Sequence, residues 1–325
     1  MAALSVIVVF PLFFVKQKGL LNTSKPVIPP LVVLLIGLCA VSAASIFIRY
    51  AQGLQVPSLV IAAYRLNFAT LILLPIVLTR HRAELKALTP RQVALAAVSG
   101  VFLAAHFGTW ITSLAYTSVA NSAVFVSVSP LFVAFIAVFV LREKLSRALA
   151  VGLLVTLAGG VIVALSDACT TAGCPPLSSL LAGQAFVGNA LALAGAATVA
   201  VYFIIGKTLR ASLSLMVYIF LTYGMAALTL LLTVLVLRLP LSGYPAEAYL
   251  WFLLLAVAPQ LIGHSAFNWA LKYLPTTYVS LITLCEPIGS TLLAVWLLGE
   301  TPTPLKVGGG ALILLGIGLA SRRQS

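Results

Sequence analysis

The sequence is short of charge. Only 8% of its 325 residues are Asp, Glu, Lys or Arg, against roughly a quarter in a typical soluble domain. So little charge cannot cover a globular surface, which excludes a soluble protein. Acids are scarcer still: six, against nineteen Lys or Arg, for a formal net charge of +13. Histidine occurs three times: His81 in a loop, His106 and His264 in separate apolar segments. That is no ligand cluster, so no metal is expected. No cofactor is expected either. A Gly-rich nucleotide loop with Lys-Ser/Thr, a Gly-x-Ser-x-Gly elbow and a paired-histidine helix are all missing, which argues against direct ATP drive and against an enzyme.

What is plentiful is apolar. Hydrophobic residues make up 62% of the chain and the mean hydropathy is +1.16, so disorder is excluded too. Ten long apolar segments can be marked, at about 31–50, 58–78, 93–114, 120–141, 149–165, 188–205, 212–237, 249–271, 277–298 and 305–320. A spanning helix takes about 20 residues. Alternating strand patterns are missing, so an all-α polytopic bundle of ten helices is expected rather than a barrel. Residues 2–15 are apolar but short, contain Pro11, and precede Lys16 and Lys18. A signal peptide carries its positive charge first, so 1–30 reads as a membrane-surface extension or a misplaced start.

The basic residues encode orientation. With the N-terminus in the cytoplasm, fifteen fall inside: Lys16, Lys18, Lys25, Arg80, Arg82, Lys86, Arg91, Arg142, Lys144, Arg147, Lys207, Arg210, Lys272, Arg322 and Arg323. Three fall outside, Arg49, Arg238 and Lys306, and Arg65 lies within a span. Positive charge collects on the cytoplasmic side, so both termini are expected inside, in the plasma (inner) membrane. In a soluble protein the same excess would suggest nucleic acid; here it does not. The partners expected are the bilayer and a small solute, and a second copy of the chain in a homodimer is compatible with the sequence.

The chain repeats itself. A gap-free shift of 157 residues sets Leu114 and Tyr116 on Leu271 and Tyr273, Pro130 on Pro287, and Glu143 on Glu300. It also sets Gly152 and Gly159 on Gly309 and Gly316. Shared apolar residues mean little in a membrane protein, but a shared Pro, Glu, Gly, Gly at one spacing means more. The organisation expected is an extension (1–30), a five-helix repeat (31–166), an outside linker (167–187) and a second five-helix repeat (188–322). Five is odd, so the second copy enters the membrane from the opposite face. Inverted repeats are the architecture of many secondary transporters, which rock about a central site.

Several stretches also resemble a known family. PSLVIAAYRLNFATLILLP, with Pro57 and Arg65, resembles the second span of the EamA family, in the drug/metabolite transporter superfamily. YTSVANSAVFVSVSPLFVAFIAVFVLREKL resembles the fourth, YLPTTYVSLITLCEPIGSTLLAVWLLGE the ninth, and GGGALILLGIGLA the tenth. The resemblance covers about residues 31–322. It implies a ten-span carrier, commonly an exporter of metabolites, amino acids or drugs, and names no single substrate.

Ionisable side chains within the membrane are functional candidates. Arg65 could bind an anionic group or pair with a carboxylate; alternatively it snorkels to the interface. Glu286, mid-span before Pro287, could carry a proton or meet a cation, with Arg65 the natural partner; alternatively the pair is structural. The first repeat has Ser129 at the matching position. Gln260, His264 and Asn268 share one helix face, as do His106, Trp110 and Ser113. The two stripes could wall a cavity or bond helix to helix, and a histidine can shuttle protons. Pro130 and Pro287 can bend their helices. Gly152, Gly159, Gly309 and Gly316 suit close helix packing. Cys169 and Cys174, in the longest outside loop, form either a disulfide or two free thiols. The reading that follows is a carrier working outward by alternating access, coupled to protons or exchange. A non-transporting sensor or scaffold is the alternative, and a membrane enzyme a more distant one.

Overall fold

A computed structural model describes residues 26, 28–117, 119–139, 146–168, 183–298 and 304–321. Every regular element in it is helical. The elements are α1 (Pro30–Ser42), α2 (Ala44–Gly53), α3 (Ser58–Arg80), α4 (Arg82–Lys86), α5 (Pro90–Tyr116), α6 (Val119–Ser127), α7 (Ser129–Phe139) and α8 (Arg147–Ala168). The second half holds α9 (Gly183–Arg210), α10 (Leu215–Val236), α11 (Ala246–Leu255), a π segment (Ala256–His264) and α12 (Ser265–Ala270). It ends with α13 (Thr276–Ile282), a 3₁₀ turn (Thr283–Cys285), α14 (Glu286–Leu298) and α15 (Pro304–Ser321).

Local chemistry sets the starts. Pro29, Pro57, Pro245 and Pro275 each stand just before a helix, and Pro90 follows the cap of α5, where a missing N–H costs nothing. Thr89 caps α5 reciprocally: its hydroxyl accepts from the Gln92 backbone N–H at 3.2 Å, and the Gln92 side chain accepts from the Thr89 N–H at 2.9 Å.

Among the described residues six helical stretches are long and apolar enough to cross a membrane: Pro30–Gly53, Ser58–Arg80, Pro90–Tyr116, Phe186–Arg210, Leu215–Val236 and Ala246–Ala270. Shorter apolar helices, Phe125–Ile136, Ala150–Ile162 and Val307–Gly316, carry three more of the ten expected segments. The ninth, 277–298, is interrupted by its 3₁₀ turn. Large apolar side chains face outward all round, Val236 and Trp296 each at 79%. That surface suits lipid and would be untenable in water. The chain is a multi-pass membrane protein.

The two halves share their phrasing. Ser58, Val119, Ser129 and Arg147 open helices in the first half, and Leu215, Thr276, Glu286 and Pro304, each 157 residues on, open helices in the second. The packing maps onto itself under the same exchange. α5 packs on α9 as the π segment packs on α1, α3 packs on α10, and α8 packs on α15. At the last crossing a Cβ on Gly159 would lie 2.6 Å from the Gly309 carbonyl oxygen, and one on Gly316 would lie 2.6 Å from the Gly152 carbonyl oxygen. The four glycines therefore form two mated contacts, each admitting backbone against backbone. Residue numbers rise along α8 as they fall along α15, so the two helices run antiparallel.

Candidate functional site

α3 carries Arg65 two turns in from its start and buries it fully, at 0% exposure. Its Nε donates to Gln260 Oε1 at 2.9 Å, and its guanidinium carbon stands 4.0 Å from the centre of the Phe107 ring. Its Nη1 has no hydrogen-bond partner among the described residues. Burial of this depth sets aside the snorkelling alternative.

Arg65 lines a small, partly open cavity of about 40 Å³. α1 and α2 contribute Val41 and Ala44 to its wall, and α5 contributes His106 and Trp110. α9 supplies Val199 and Phe203, and His264 and Phe267 enter from the π segment and α12. His106 Nδ1 bonds the Gly195 carbonyl at 2.9 Å, and its ring stacks nearly parallel to Trp110, centroids 5.9 Å apart. His264 and Phe107 meet edge to face at 5.1 Å. The indole N–H of Trp110 and Nδ1 of His264 are buried without partners among the described residues.

The remaining wall comes from two interrupted helices. α6 stops at Ser127 and α7 begins at Ser129; α13 gives way to the 3₁₀ turn and α14 begins at Glu286. Positions 129 and 286 are 157 apart, so both breaks fall at one place in the repeat. Pro130 and Pro287 follow immediately and cannot donate back to the preceding turn. Val126, Ser127, Ser129, Thr283 and Glu286 all line the cavity. Sequence reasoning expects bends at these prolines; the structure has a single turn residue, Val128, before the first and a 3₁₀ turn before the second.

Glu286 and Arg65 share this cavity and interact electrostatically, yet no direct salt bridge joins them. The expected contact pair is thus two groups lining one cavity without a direct ion pair.

The polar stripe 260–264–268 does not act as one wall. Pro259 lies in the π segment, where i→i+5 winding advances each residue through a smaller angle than an α-helix. Gln260 therefore turns to Arg65 and His264 to the cavity. Asn268, fully buried, donates from Nδ2 to the Tyr202 hydroxyl and to the Tyr223 hydroxyl, the latter at 3.3 Å. Tyr223 bonds Ser265 Oγ at 3.2 Å. Ser113, on the other stripe, bonds Ser122 at 2.6 Å and stays off the cavity wall.

Sequence reasoning missed this tyrosine cluster because single tyrosines in apolar helices carry no periodic signal. It also set Arg210 in a cytoplasmic loop. Arg210 is 3% exposed: its Nε donates to the Asn268 carbonyl at 3.1 Å and its Nη1 to the Leu213 carbonyl. Phe107, Phe203 and Phe267 were likewise indistinguishable from ordinary core. Cys169 and Cys174, and Glu143 and Glu300, lie outside the described residues. Among the described residues no three His, Cys, Asp or Glu side chains gather.

The sequence model of the EamA-like transporter family matches residues 29–165 and 186–322. An uncharacterized transporter of Clostridium kluyveri is 23% identical over 248 residues, covering 76% of this chain and 78% of that protein. An uncharacterized transporter of Archaeoglobus fulgidus is 32% identical over 75 residues, which cover 23% of this chain and 28% of that protein. A chain solved by crystallography superposes with a TM-score of 0.69 at 20% identity, covering 90% of this chain and 98% of that one; it shares the fold. With the family's repeat matched twice along most of its length, the chain belongs to the EamA-like transporter family and is a membrane transporter.

Proposed function

We propose that the protein is a secondary carrier that moves a small metabolite, amino acid or drug-like solute by alternating access. On this reading ten helices form two inverted repeats, 31–166 and 188–322. Both termini lie in the cytoplasm, the membrane is the plasma membrane, and transport runs outward. The observation that carries the reading is the pair of helices interrupted at twin positions, 129 and 286, around a cavity that holds the buried Arg65. Interrupted helices at the junction of two antiparallel-related halves are how such carriers expose a site to each side in turn.

Arg65, His106, Trp110, His264 and Glu286 bind or couple on this reading. Gln260 holds Arg65, and Asn268 braces the wall behind it. Pro130 and Pro287 act as hinges, and the four mated glycines as the pivot. Drive comes from a proton gradient or from exchange, and no catalytic step is involved.

The test is flux in proteoliposomes made from the purified protein. Solutes are first chosen from a panel of amino acids, organic acids, nucleosides and cationic dyes by the thermal stabilisation they confer. The carrier reading expects saturable uptake of at least one, accelerated by an imposed pH gradient or by counter-solute. Glu286→Gln should abolish the coupled uptake while the protein stays monodisperse. Flux of no solute above empty vesicles would contradict the reading.

A further inference from the structure

The charge balance of the cavity points to the class of solute, and this inference rests on the carrier reading above. A guanidinium stays protonated in a protein, and a buried cation needs an anion nearby. Arg65 receives none from its direct contacts: Gln260 is neutral and Phe107 offers only its ring face. Among the described residues Glu286 is the single acid on the cavity wall. It lines the same cavity as Arg65, and no direct salt bridge joins the two. One buried cation balances one anion. A second anion in the same cavity would face Glu286 as well as Arg65, in a medium where charge is poorly screened.

The vacant hydrogen bonds indicate what could take the Glu286 role. Arg65 Nη1 and the Trp110 indole nitrogen are donors only, both buried and both without acceptors among the described residues. They suit a carboxylate, which an arginine grips through parallel bonds. The rest of the wall is flat and apolar: the parallel His106–Trp110 stack, Phe203 and Phe267.

We propose that the cavity takes a small organic anion with a flat apolar body, whose carboxylate replaces Glu286 as the counter-charge of Arg65 while Glu286 takes up one proton from solvent. The empty cavity holds Arg65⁺ and Glu286⁻. The loaded cavity holds Arg65⁺, the anion and a neutral Glu286. Both states are balanced, so anion and proton bind and leave together, and neither crosses alone.

Other titratable groups surround Glu286 and must be separated from it. Arg65 on α3, His106 on α5 and His264 on the π segment face it across the cavity. Of the elements packed against α14, α1 carries Cys39, α2 carries Arg49 and Tyr50, the 3₁₀ turn carries Cys285, and α6 carries none.

The experiment measures binding of benzoate to the purified full-length protein in detergent by calorimetry between pH 6 and 8. Repeating it in buffers of different ionisation enthalpy counts the protons taken up. Wild type should bind benzoate with uptake of about one proton, its affinity weakening about tenfold per pH unit as pH rises. Glu286→Gln, a permanent mimic of the neutral acid, should bind benzoate with a flat pH profile. Arg65→Gln should not bind it, with circular dichroism and monodispersity showing that it folds.

Three results would overturn the inference. The first is no benzoate binding by wild type. The second is a pH dependence that survives in Glu286→Gln, which would place the proton on a histidine. The third is phenylalanine binding more tightly than benzoate without proton uptake, which would mean that Glu286 stays charged and meets an ammonium. Each leaves the carrier reading intact if another solute moves in vesicles; absence of all flux would remove that reading instead.

Discussion

Position 65 holds arginine and its twin, 222, holds threonine; position 129 holds serine and its twin, 286, holds glutamate. Around these positions the halves agree. Their helices open at matching residues, and their glycines interlock as mates. The duplicated features are the ones that build a pivot: starts, breaks and close crossings. The charged features are single, and each half lends one of them to the shared cavity. A symmetric frame allows two equivalent end states, whereas a single charge pair avoids placing two cations or two acids in one dry space.

The comparison can be broken in several ways. The largest effect is expected at Arg65. Arg65→Gln should abolish flux of any solute that wild type carries, while Thr222→Val, its twin, should leave most of it. Equal loss at both positions would mean that the asymmetry is incidental. Moving the acid is the next test. Glu286→Ser alone should abolish coupled flux, and Ser129→Glu added to it should restore a measurable part, because both positions open on the same cavity. The glycines should behave alike. Gly159→Val and Gly316→Val should each cost about 1–3 kcal/mol of stability through overpacking, read as matched falls in Tm. Effects that differ by more than about that range would deny the equivalence of the two contacts. The smallest effect is expected at Asn268→Leu, about 1 kcal/mol for the bonds lost to Tyr202 and Tyr223, with flux reduced but present.

Much of the frame was legible in the sequence because it rests on patterns. Long apolar runs and the 157-residue shift each have a physical cause that acts along the chain. The glycine spacing foretold a crossing, though which glycine meets which depends on the antiparallel approach of α8 and α15. Arg65 and Glu286 stood out because charge is rare in such helices. What they do to each other did not, since a gap between two side chains has no signature in sequence.

The π segment escaped for a related reason. Pro259 marks a defect but does not specify its form, and the form separates Gln260, His264 and Asn268 into three settings. Arg210 was misplaced because counting basic residues treats a helix end as solvent. Here carbonyls from the next loop and from α12 receive its donors.

Alternating exposure of the cavity is the central claim, and thiol access tests it most directly. Ser127 lines the cavity at the first helix break. A Ser127→Cys variant, with the four native cysteines replaced by serine or alanine, would be treated with a membrane-impermeant maleimide. Right-side-out and inside-out vesicles would be compared. The account predicts labelling from both faces, slowed on one face when a transported solute holds the cavity open to the other. Labelling from one face only, in protein that still carries solute, would contradict it.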